Sequence, residues 1–222
     1  SGRVASIDVV ESSPDTVYVG AATGDVWKST DGALSFTPIF DDQPVAAIGA
    51  VAIFQPSPDI VWVGTGEANP RNSVSFGDGV YKSVDGGKSW KRMGLEKTFQ
   101  IGRVVVHPKN PDIVYVGALG RLYGPSPERG LFKTVDGGAT WERVLFVDEK
   151  SGVIDVSMNP SDPETLLVAT WERKRDGFDS TIGEPVADGY DVYDPITKWG
   201  PGSRLFKTSD GGKTFTQVTK GL

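Results

Sequence analysis

The 222-residue chain has no cysteine, one histidine and two methionines. Without cysteine there are no disulfides, zinc ribbons or thiol nucleophiles, although the compartment stays open because secreted proteins without cysteine exist. A lone histidine with no cysteine beside it makes a zinc site improbable. His107 falls in His107-Pro108-Lys109-Asn110-Pro111, matching Gln55 and Asn159 in sister repeats, a polar turn position rather than a metal or acid–base one. Positive charge is also scarce. Lysine and arginine total 23 against 29 acids, and the net charge of −6 includes no basic run. Nucleic-acid backbones and anionic membrane surfaces are therefore not expected as partners. No apolar stretch approaches spanning length, so membrane insertion is not expected, and no signal peptide is expected within these residues. Ser1-Gly2 reads as a processing scar, so a leader is taken to be absent from these residues. No phosphate-cradling glycine loop or nucleophile elbow is found, and no segment has a helical period.

Glycine (28), proline (15) and aromatic residues are plentiful, which suits short strands joined by tight turns. One octet recurs four times. Ser83-Val84-Asp85-Gly86-Gly87-Lys88-Ser89-Trp90 is echoed at 29–36, 134–141 and 208–215. Each copy keeps a hydroxyl, an aspartate two positions on, a glycine, a second hydroxyl and an aromatic ring. Asp31, Asp85, Asp136 and Asp210 are expected to accept hydrogen bonds from turn N–H groups and nearby hydroxyls. The glycines supply positive φ. The first copy departs from the pattern, with Ala33 for the second glycine and Phe36 for tryptophan.

The turn aspartates are 54, 51 and 74 positions apart. Each unit reads as four strands: an alternating inner strand, a Pro-Asp turn, a second strand such as Ile60-Val61-Trp62-Val63-Gly64, a third before the octet and a fourth after it. A four-stranded repeat of roughly 45–50 residues predicts an all-β propeller of antiparallel blades. The blades fall at about 1–47, 48–100, 101–152 and 153–222, as one propeller or a segment of one.

The octets resemble the Asp-box of bacterial-neuraminidase-type repeats. With the Pro-Asp-(Ile/Thr)-Val-(Tyr/Trp)-Val-Gly strands they resemble sortilin-type, glycosyl-hydrolase-like propellers of bacteria. That resemblance implies a structural box, and functions ranging from glycoside hydrolysis to sorting and assembly. It also implies a secreted or periplasmic setting.

Asp turns are third connections and line one rim, so the unequal second connections gather on the other. Binding residues are expected there. The second blade's loop offers Glu67, Arg71 and Asp78 with Asn69 and Asn72. The third blade's offers Arg121, Tyr123, Glu128 and Arg129. The long fourth excursion offers Trp171, Glu172, Arg173, Phe178, Tyr190, Tyr193 and Trp199, either to stack on sugars or to form a satellite core. Asp176, Asp179, Asp188, Asp191 and Asp194 could supply calcium oxygens but lack the spacing of a helix-loop-helix site; otherwise no cofactor is expected. On the inner strands, Arg3 and Arg103 read as equivalent, with Ala50 and Asp155 in the other two slots. A sialidase grips its substrate carboxylate with three arginines. Only two positions match here and no tyrosine–glutamate nucleophile pair can be assigned, so that role does not carry over. The two arginines read instead as partners of Asp155 or nearby carboxylates.

The leading expectation is a non-catalytic binding or scaffold module for a polypeptide or glycan. The alternative is a glycoside hydrolase using Glu67, Asp78, Glu128 or Glu172, which needs two carboxylates about 5–5.5 Å or 6.5–9.5 Å apart. A third reading is a fragment of a larger propeller. Its exposed blade faces would be covered by a second copy or by further blades of a parent protein.

Overall fold

A computed structural model describes residues 3–69, 74–173 and 199–220. Four antiparallel sheets follow one another along the chain, each a meander in sequence order. The first holds β1 (Val4–Val9), β2 (Val17–Ala21), β3 (Val26–Ser29) and β4 (Thr37–Pro38). The second holds β5 (Ile48–Ile53), β6 (Val61–Thr65), β7 (Val80–Ser83) and β8 (Lys91–Arg92). The third holds β9 (Ile101–Val106), β10 (Val114–Ala118), β11 (Gly130–Thr134) and β12 (Glu142–Leu145). The fourth holds β13 (Ser151–Asn159), β14 (Asp162–Glu172), β15 (Leu205–Thr208) and β16 (Thr216–Gln217). One helical turn, Glu96–Thr98, is of the 3-10 type. The architecture is the β-propeller blade array that the repeats predict. Three of the outer strands are only two residues long, and Pro38, which has no N–H to donate, ends one of them.

The octets form the expected turns. Ser83 Oγ donates to Asp85 Oδ1 at 2.8 Å, and Asp85 Oδ1 accepts the Ser89 N–H at 2.9 Å. Ser83 Oγ in turn accepts the Gly87 N–H at 2.8 Å. The first box keeps the same bonds despite Ala33, whose N–H reaches Ser29 Oγ at 3.0 Å. Ala33 is held at φ 68, where glycine is preferred. Each turn is also tied to the end of its own sheet where the first connection enters the second strand: Gly86 N–H donates to Asp59 O, and Gly211 N–H to Glu164 O at the start of β14. These bonds fix the boxes and the Pro-Asp turns on one rim.

The hydroxyl and N–H donors make these aspartates stronger acids. Asp31, Asp85 and Asp136 are lowered from 3.8 to about 2, and Asp210 is lowered as well. A carboxyl that is a stronger acid folded than unfolded stabilises the fold above its unfolded pKa. That contribution disappears as pH falls through the folded value. Acid unfolding followed by circular dichroism is therefore expected to set in between about pH 4 and pH 2, with Asp85→Asn showing a flatter dependence. Stability unchanged across that window would refute the assignment.

Apolar residues pack between sheets in three clusters. One joins the first and second sheets through Tyr18, Val26, Phe40, Val51, Val63 and Tyr81. The next centres on Trp62, Ile101, Val116 and Phe132, and the last on Tyr115, Leu131, Val156 and Val168. Side chains also stitch neighbouring sheets. Tyr18 Oη and Lys28 Nζ both donate to Gly86 O, at 3.1 and 2.9 Å. Tyr115 Oη and Lys133 Nζ repeat this on Gly211 O, at 2.9 and 2.8 Å. Box tryptophans reach back to the preceding outer strand, Trp90 Nε1 to Ile39 O and Trp141 Nε1 to Met93 O.

The inner strands correct one expectation. The register pairs Arg103 with Gly117, Ala50 with Gly64 and Asp155 with Ala169, but in the first sheet Ser6 pairs with Gly20. The counterpart of Arg103 is thus Ser6, not Arg3. The irregularity between Val4 and Ser6 recurs at the same level in β5, β9–β10 and β13, so all four sheets share it and Ser6 holds the slot of Arg103.

Candidate functional site: the rim opposite the Asp boxes

The β2–β3, β6–β7, β10–β11 and β14–β15 connections emerge away from the box rim, because strand direction alternates within each meander. In the second sheet's connection, Thr65 Oγ1 donates to Gly79 O at 2.6 Å and accepts the Asp78 N–H at 2.9 Å, closing the loop base. Gly77 lies so close to Thr65 that a Cβ would sit 2.3 Å from its carbonyl carbon. Asp78 Oδ2 accepts Tyr81 Oη at 2.8 Å and Arg92 Nη1 at 3.2 Å. Burial, and after it the bond to Asp78, raises the tyrosine pKa. Glu67 is 1% exposed and forms an ion pair with Arg3. That pair joins the first inner strand to the second sheet's loop.

The third connection is held by Arg129, which is 5% exposed. Its guanidinium donates to Leu119 O at 2.6 Å, Arg121 O at 2.8 Å and Gly124 O at 3.2 Å. Burial lowers it from 12.5 to about 10. Arg121 lies over the Phe99 ring at 5.2 Å, and Phe99 meets Phe76 edge-on. Tyr123 is exposed and Glu128 half-buried.

At the mouth of the fourth connection, Glu172 Oε2 accepts the Gly202 N–H at 2.7 Å, and Thr170 Oγ1 donates to Gly202 O at 2.6 Å. Trp171 and Trp199 stack with centroids 5.9 Å apart and planes at 33°. Arg173 lies 4.9 Å from the Trp171 ring. Trp199 is 73% exposed. Beside Trp171 is a narrow hollow of about 20 Å³, lined by Gln100, Leu119, Arg121, Arg129 and Arg173 among others.

The structure thus brings Arg121, Trp171 and Arg173 to one hollow. It commits Glu67, Asp78 and Glu172 to local partners. Arg103 lies elsewhere, on the inner strand, paired with Asp155 at 3.4 Å. His107 serves its turn, Nδ1 accepting the Lys109 N–H at 3.1 Å. Arg71, Phe178, Tyr190, Tyr193, Asp176, Asp179, Asp188, Asp191 and Asp194 lie outside the described residues. Among the described residues no group of three or more acidic or histidine side chains could hold a metal ion.

Two buried polar residues in the connecting segments escaped the sequence reading, of which Gln100 lines the hollow. Gln100 is 2% exposed, and its Nε2 has no hydrogen-bond partner among the described residues. It follows the outer strand, where no repeat signal marks it. Asp25, in the first sheet's rim connection, reads in sequence as an ordinary Thr-Gly-Asp turn. It is buried and at φ 83, and burial together with Asp41 raises it from 3.8 to about 7.

Comparison with known proteins gives this geometry a setting. The chain is 24% identical over 233 aligned residues to a xyloglucanase of a Paenibacillus species, covering 98% of this chain and 21% of that protein. It is 28% identical over 149 residues to a probable oligoxyloglucan-reducing end-specific xyloglucanase of Neosartorya fischeri, covering 63% and 16%. The chain therefore spans about a fifth of the length of these curated relatives. A crystal structure of the Niastella koreensis GH74 enzyme superposes with a TM-score of 0.65 at 22% identity, over 95% of this chain and 28% of that one. The Sortilin-Vps10 family model, described as sortilin, neurotensin receptor 3, matches residues 78–222. With most of its length matched and its blades built as the boxes require, the chain belongs to the Sortilin-Vps10 family.

Proposed function

We propose that this segment binds a polysaccharide of the xyloglucan class on the rim opposite the Asp boxes, as the glycan-holding part of a glycosyl-hydrolase-like propeller. The observation that carries this is the exposed Trp199, its ring tilted against that of Trp171, which lines the hollow. Sugar rings present apolar C–H faces that rest on such indoles, while arginine and amide groups bond the hydroxyls. The xyloglucanases among its relatives support the choice of polymer. Polymers of that class lie outside cells, which goes with a secreted or periplasmic location.

Binding rather than turnover is favoured within these residues, because three of the four candidate carboxylates hold the scaffold together. Titration calorimetry with xyloglucan oligosaccharides is expected to show saturable binding, weakened roughly tenfold by Trp199→Ala. Equal affinity in that variant, or no binding at all, defeats the reading. Hydrolysis is the second reading. The xyloglucanases among the relatives support it. Reducing-end release from xyloglucan would establish it in place of simple binding.

A further inference from the structure

The hollow beside Trp171 is rich in hydrogen-bond donors and poor in groups to receive them. The guanidinium groups of Arg121, Arg129 and Arg173 share its lining with the amide of Gln100, and the rest is alanine, leucine and tryptophan. Among the described residues no carboxylate lines it.

Two of these side chains carry buried donors with nothing to bond. Gln100 is 2% exposed and Arg129 5%, yet neither Gln100 Nε2 nor Arg129 Nε has a hydrogen-bond partner among the described residues. A buried donor left unmade is costly, and such a group in a folded chain calls for a bound water or ion. Both residues are anchored. The Gln100 carbonyl accepts the Leu119 N–H at 2.8 Å. Arg129 is clamped by its three carbonyl bonds, and its stem packs so tightly on Gly120 that a Cβ there would lie 2.6 Å from the arginine Cγ.

Charge points the same way. Burial loosens the Arg129 proton, Asp148 outside the lining opposes that, and the neighbouring charge of Arg121 adds to it. Guanidinium groups close enough to repel one another are stabilised by negative charge in their midst. The hollow's size then narrows the occupant. About 20 Å³ suits one water-sized sphere. Water is a poor match, because it brings two protons that need acceptors. Among the described lining side chains the sole strong acceptor is Gln100 Oε1. A single-atom anion accepts from every donor and brings no proton of its own. Sulfate, phosphate and carboxylate groups are too large to enter without moving the walls.

We propose that this hollow is a site for one monovalent anion of halide size, chloride in physiological salt. Gln100 Nε2 and Arg129 Nε donate to the ion, and Arg121 and Arg173 supply positive charge around it. Gln100 lies just before β9, Arg129 in the β10–β11 connection and Trp171 near the end of β14. The ion therefore ties three separate segments of the rim together. It is bound whether or not a glycan rests on Trp199.

Crystals soaked in sodium bromide are expected to show an anomalous peak in the hollow, within hydrogen-bond distance of both nitrogens. In solution, a roughly tenfold excess of chloride over its dissociation constant should raise the melting midpoint by about 3–6 °C relative to gluconate at the same ionic strength. Gln100→Leu removes one donor and should weaken the chloride dependence roughly tenfold. Gln100→Glu brings its own negative charge to the spot and should lose the chloride response altogether. No bromide peak in the hollow overturns the proposal. So does an equal midpoint in the two salts, which leaves the hollow to water, or a chloride response in Gln100→Leu as large as in the unmodified chain.

Discussion

Trp62→Ala is expected to lose about 4 kcal/mol of stability, read as a drop in the denaturation midpoint at unchanged slope. The indole is 0% exposed, between the second and third sheets. It meets Trp141 edge-on at 6.2 Å, lies under Lys82 at 5.0 Å, and supports the third box so closely that a Cβ on Gly138 would be 2.9 Å from it. Truncation leaves a cavity walled by two rigid sheets, which cannot collapse to fill it. Its Nε1 has no hydrogen-bond partner among the described residues, so the loss is one of packing rather than of a bond. Trp62→Tyr is the informative control, because tyrosine fills the same slot at Tyr18 and Tyr115. It should cost under about 1.5 kcal/mol. An alanine variant no worse than the tyrosine one would remove this joint from the account of stability.

Arg3→Ala comes second, at about 2 kcal/mol. Breaking a buried pair strands a charge, which ordinarily costs more, but Arg3 is itself 43% exposed and water already weakens the pair. Glu67, at 1% exposure, is left without its counter-charge. Arg3→Ala/Glu67→Gln should regain most of the loss, since the uncompensated charge is then gone. A double variant as unstable as the single one would show that Arg3 acts through packing alone.

What could be read from the sequence follows the range of the interactions. The Asp boxes are local: hydroxyl, aspartate and glycine bond within five residues, so the motif carries its own geometry. The four-strand order came from the same local source. The Arg3–Glu67 pair spans two repeats and has no motif, so Glu67 looked like a rim acid available for chemistry. Arg3 and Arg103 look equivalent because both follow glycine, and only the pairing of Ser6 with Gly20, against that of Arg103 with Gly117, reveals the offset. Gln100 became visible only once the third and fourth connections closed around it. Trp171 and Trp199 were readable as aromatics in a long insertion, but their stacking depends on how residues 200–204 return to the sheet.

The stitching of each sheet to its neighbours alone has a thermodynamic corollary. Folding energy in such an array is carried by a row of nearest-neighbour couplings, as in a linear chain of spins, rather than by one shared centre. Duplicating or deleting a unit then changes the sum by one coupling and leaves the remaining terms intact, so length can drift while the wedge itself is preserved.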